Sequence, residues 1–87
     1  MTWEELNAKA NLEPMSRVML EQRIQKSGGD GELYLRLARA CVREEKFLEA
    51  VRHYDQAELL GNPEAAAERA VAAQRIGDFP DTNTRFA

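Results

Sequence analysis

The chain has 87 residues, 44% of them hydrophobic, and a net charge of −3, enough for one small domain with a thin core and too little for two. Its 12 basic residues are interleaved with 15 acidic ones, so no basic stripe of the kind that holds nucleic acid is present. No apolar run approaches a membrane span, no basic-then-apolar leader follows Met1, and Cys41 stands alone; a protein of the reducing cytoplasm is expected.

The apolar spacing is helical nearly throughout and never alternates at period two, which makes the chain all-α. Thr2 and Glu5 form a capping box for a first helix over 3–11, with Trp3, Leu6 and Ala10 at helical spacing. Pro14 suits the first turn of a second helix over 14–27, in which Met15, Val18 and Met19 make the stripe, and Ser27-Gly28-Gly29-Asp30-Gly31 ends it. A third helix, over 32–44, gathers Tyr34, Leu37, Ala38 and Cys41 within an arc of about 100° and sets Arg36, Arg39 and Arg43 opposite. A fourth, over 47–60, places Phe47, Ala50, Val51, Tyr54 and Ala57 together and closes at Gly61-Asn62-Pro63. An alanine-rich fifth runs over 64–76, and 77–87 reads as an irregular tail. The links are too short to separate domains, so a single domain spans 1–87, and short links imply antiparallel hairpins.

Sliding the sequence by 32 residues sets Ala38 on Ala70, Ala40 on Ala72, Arg43 on Arg75 and Phe47 on Phe79, a faint repeat. On these residues the chain resembles the tetratricopeptide repeat: Tyr34, Leu37, Ala38 and Cys41 on one helix, then Ala50, Tyr54 and Ala57 on the next, opened by Phe47 and ended by Pro63, one residue late. The ending "YDQAELLGNPEAA" is also similar to Sel-type repeats. The resemblance implies a short right-handed solenoid or bundle of about five helices that binds another polypeptide. The flanks match weakly, since Arg69 stands where Leu37 stands one unit earlier and Pro80-Asp81 would spoil a continuing helix. Small residues at 38, 50 and 57 would let two helices approach closely while Tyr34, Phe47 and Tyr54 fill the space beside them.

Two surfaces are candidates for contact. Arg36, Arg39, Arg43 and, one repeat on, Arg75 would line the groove of such repeats and clamp carboxylates of an acidic peptide, a guanidinium being a bidentate donor; alternatively they form a solvated face with Glu32 and Arg36 as an i,i+4 pair. Trp3, Leu20, Ile24, Leu48 and Leu59 lie off the main stripes, which fits internal stacking, a partner, or a second copy. Phe79 and Phe86 add to that apolar excess. The expected role is an adaptor binding a partner peptide or helix; the alternative is a dedicated chaperone or assembly subunit covering one partner's apolar surface. An enzyme using Cys41 and His53 is the remote third reading. One histidine and one cysteine are too few for a closed zinc site, and no cofactor is expected.

Overall fold

The computed structural model describes residues 1–77, which form five helices: α1 (Trp3–Leu12), α2 (Arg17–Ser27), α3 (Gly31–Arg43), α4 (Phe47–Leu59) and α5 (Ala65–Gly77). The expected tail lies outside the described residues except for Gly77, which closes α5. Thr2 caps α1 as expected: its hydroxyl accepts from the Glu5 N–H at 3.2 Å while the Glu5 carboxylate accepts from the Thr2 N–H at 2.9 Å.

The second helix starts later than expected. Ser16 is its N-cap, accepting from the Met19 N–H, and Pro14 lies in the link before it; Ser16 offers the hydroxyl cap that a proline at position 14 does not. The rotation of α2 also differs. Leu20 is fully buried and Ile24 packs on the core, whereas Val18 and Met19 are about half exposed. Of the expected stripe, only Met15 packs inward.

Two helix ends share one backbone device. At α4, the Asn62 N–H donates to Ala57 and the Gly61 N–H to Glu58, with Gly61 at φ 91°. At α3, the Lys46 N–H donates to Cys41 and the Glu45 N–H to Val42, with Glu45 at φ 61°. Both are Schellman closures, and glycine suits the left-handed position far better than glutamate.

Helices α2 to α5 pack in chain order, α2 on α3, α3 on α4 and α4 on α5, while α1 lies across α3 and touches α5. A linear stack of hairpins would hold the first helix away from the fifth, so α1 closes the layer into a bundle around α3. Accordingly α3 buries Leu35, Leu37, Ala38, Ala40, Cys41 and Val42, far more of its circumference than one amphipathic stripe. The α3–α4 contact uses small residues as expected: Ala38, Ala50 and Ala57 are fully buried, with Tyr54 among them. Gly31 belongs to the same close approach, because a Cβ there would stand 3.2 Å from Asn62 Cβ and 3.4 Å from the Ala57 carbonyl oxygen.

Candidate interaction surfaces

The arginine row of α3 is turned inward, onto α1 and α5, and not to solvent as expected. Arg36 grips Glu13 with two hydrogen bonds of 2.8 and 3.0 Å, so Glu13, not Glu32, is its ion-pair partner. Arg43 donates to three carbonyl oxygens, of Ala10 at 3.2 Å, Glu13 at 2.7 Å and Met15 at 3.0 Å, tying down the end of α1 and the link after it. Arg39 holds Glu68 at 2.9 and 2.6 Å and Glu64 at 3.0 Å. The cause lies in the neighbours. These helices bring carboxylates and unpaired carbonyls to α3, and a guanidinium can satisfy several acceptors at once.

Among the described residues Glu68 is the deepest charged group, with a fully buried side chain. It receives Arg39 and also the Tyr54 hydroxyl, which donates at 3.0 Å. Burial and the Glu68 charge hold the Tyr54 phenol far above its ordinary range, so it stays a donor. At Glu13, burial pushes the carboxyl upward, but Arg36, the Met15 N–H and Arg43 together outweigh it and leave it below its ordinary value. The sequence reading missed Glu13, Glu68 and the Tyr54 hydroxyl as a set. One signal was present: Glu68 falls between Ala65 and Ala72 at helical spacing, and all three are buried, making it the charged position on an alanine face.

Arg75 does not join the row. Its guanidinium lies 4.5 Å from the centre of the Trp3 ring, and Trp3 in turn meets Phe47 edge to face at 5.8 Å. This cation–aromatic contact helps α1 meet α5. A recess of about 270 Å³ opens beside Lys9, Arg36 and Arg39, but the bidentate edges of both arginines already hold carboxylates.

The five apolar candidates separate. Leu20 belongs to the core, Trp3 and Ile24 are partly buried against it, and Leu48 and Leu59 are 59% and 80% exposed. Ile24 also lines a second recess, about 390 Å³, formed between α2, α3 and α4. Ile24, Tyr34 and Leu37 give it apolar walls, with Glu21, Gln25 and His53 at its polar edge. His53 lies nearly parallel to Tyr34, with centroids 6.3 Å apart and an angle of 28°. Burial lowers its imidazole below the ordinary value despite Glu21 and Glu49, so the ring is neutral at pH 7.

Cys41 is fully buried, and burial pushes its thiol up to about 12. Such a group holds very little thiolate at neutral pH, the opposite of an activated nucleophile. Among the described residues no group of three or more metal-binding side chains forms, and no helix is long and apolar enough to cross a membrane. Compared with protein-family models, curated proteins and solved structures, the chain matches none of them.

Proposed function

We propose that this chain is a non-catalytic protein-interaction module of tetratricopeptide-like build, an adaptor of the reducing cytoplasm that docks a partner's peptide or helix. The observation that carries this reading is the recess between α2, α3 and α4, with apolar walls of Ile24, Tyr34 and Leu37 and neutral His53 at its edge. An apolar-walled depression of this volume with a polar edge accepts one or two anchor side chains of an amphipathic helix or extended segment, the geometry of helix-in-groove recognition. It takes precedence over the arginine clamp, because Arg36, Arg39 and Arg43 are engaged within the chain. Glu21 lies at the edge, where Arg17 already holds its carboxylate at 3.2 and 3.3 Å, so the recess selects its occupant by apolar shape and not by charge.

A photo-crosslinking amino acid at position 24, compared with one at exposed Ala66, tests this in the cells of origin. The same polypeptide captured repeatedly from position 24, absent from 66 and lost on His53→Glu, is expected. Capture from 66 alone, or from neither, overturns the groove assignment.

A further inference from the structure

The outer face of α4 carries Leu48, Arg52, Asp55 and Leu59, spaced i, i+4, i+7 and i+11 and so confined to an arc of about 60° on a stripe about 16 Å long. This face points away from Phe47, Ala50, Tyr54 and Ala57, which are buried. Leu48 and Leu59 are 59% and 80% exposed, Arg52 is exposed, and the Asp55 side chain is half exposed while it holds Arg69. Among the described residues Arg52 has no hydrogen-bond or ion-pair partner.

The order along the stripe is leucine, cation, anion, leucine, and it is symmetric in position: 48 and 59 lie equally far from the midpoint of 52 and 55. Turn a second α4 antiparallel about a two-fold axis through that midpoint. Leu48 then meets Leu59 of the other copy, Arg52 meets Asp55, and both contacts occur twice. A parallel pairing would set Arg52 on Arg52 and Asp55 on Asp55. We propose that α4 is a self-association surface, on which two copies of this chain pair antiparallel through Leu48–Leu59 and Arg52–Asp55 contacts.

One helix face per copy is small for an interface, so the dimer is weak and concentration-dependent, with a dissociation constant on the order of 10–100 µM. It uses a different side of α4 from His53. Pairing therefore leaves the α2–α3–α4 recess open and makes a two-site assembly, in which a partner with two anchors gains from effective concentration. The dimer itself does not depend on what the recess binds.

Sedimentation of the full chain from low micromolar to millimolar concentration, with Arg52→Asp, Asp55→Arg and Leu59→Glu, tests the proposal. The parent is expected to dimerise and Leu59→Glu to weaken that at least tenfold. Arg52→Asp and Asp55→Arg each set like charges opposite one another, so neither is expected to self-associate. Mixing those two variants restores opposite charges at both contacts and is expected to return the affinity to within about threefold of the parent. Far-UV circular dichroism checks that every variant is folded. A parent that stays monomeric at millimolar concentration, a dimer indifferent to Leu59→Glu, or folded single variants that fail to associate when mixed each overturns it.

Discussion

The two flanks of α3 solve one problem in opposite ways. Towards α1 and α5, polar groups fill the contact: Arg36, Arg39 and Arg43 saturate Glu13, Glu68 and three backbone carbonyls. Towards α4, alanines meet with Tyr54 between them, and the polar chemistry moves to the outer side of α4. A chain this short has little apolar surface to bury. The ionic flank ties α3 to α1 and α5 through arginines that each hold several acceptors at once. The apolar flank supplies close packing and leaves leucines over for others. Interaction chemistry is therefore sought on α2 and α4, away from the most heavily charged side of the fold.

The largest expected effect breaks the ionic flank. Arg39→Met strands the fully buried Glu68 carboxylate with only the Tyr54 hydroxyl, a loss of about 3–5 kcal/mol. Adding Glu68→Leu is expected to recover at least half of that, since a buried ion pair often exchanges for apolar groups at little cost. Arg52→Met, on the exposed face of α4, should leave the urea midpoint where it is. Equal losses at positions 39 and 52 would show that the two environments do not differ.

Next comes the alanine contact. Ala50 and Ala57 have no exposed surface, and Ala57 lies within reach of any side chain added at Gly31. Ala50→Leu or Ala57→Leu overpacks a close helix approach and is expected to lower stability by about 1–3 kcal/mol, whereas exposed Ala66→Leu is expected to be neutral. Unchanged urea midpoints for both core variants would mean that the helices separate freely at this contact.

How much of this was legible in the sequence differs between the same two flanks. Periodicity and end signals were sufficient for five helices within a few residues, because Thr2–Glu5, the run from Ser27 to Gly31 and Gly61-Asn62-Pro63 act locally. The small-residue contact of α3 with α4 was legible because close packing leaves its mark on residue size. The arginines misled. An arginine with charged neighbours reads the same in sequence whether it faces water or a buried carboxylate, since the partner at position 68 is 29 residues from Arg39 and belongs to a helix whose position depends on tertiary packing. For the same reason the rotation of α2 is not legible in the sequence, as its two apolar sides, Val18–Met19 and Leu20–Ile24, differ little in hydropathy and only the neighbouring helices choose between them.

The acid response sharpens the picture of the ionic flank. Burial raises the Glu13 carboxyl, but Arg36, the Met15 N–H and Arg43 leave it below the ordinary value of 4.5. Its contribution to stability is then fully present above about 4.5 and lost as pH falls through the lower folded-state value. Glu13→Gln is expected to cost about 1–2 kcal/mol at neutral pH, with the gap from the parent closing as the solution is acidified. Urea midpoints measured across that range check it. A gap that stays constant into acid would mean that the Glu13 charge contributes nothing beyond its shape.

The smallest effect lies at the turn that joins the two flanks, where α3 ends and α4 begins. Glu45 occupies the left-handed position of a Schellman closure at φ 61°, the place that Gly61 fills at the end of α4. A Cβ in that region crowds the backbone by about 1–2 kcal/mol, while glycine loses more freedom on folding. The two nearly offset, so Glu45→Gly is expected to raise stability by about 0.5 kcal/mol. Glu45→Val should lower it, because a branched Cβ worsens the same clash. The pair of variants isolates backbone strain, since Glu45 is exposed and its replacement removes little packing. A loss of stability in Glu45→Gly, matched by no loss in Glu45→Val, would show that position 45 is not held left-handed in solution and that the α3–α4 hairpin closes by another route.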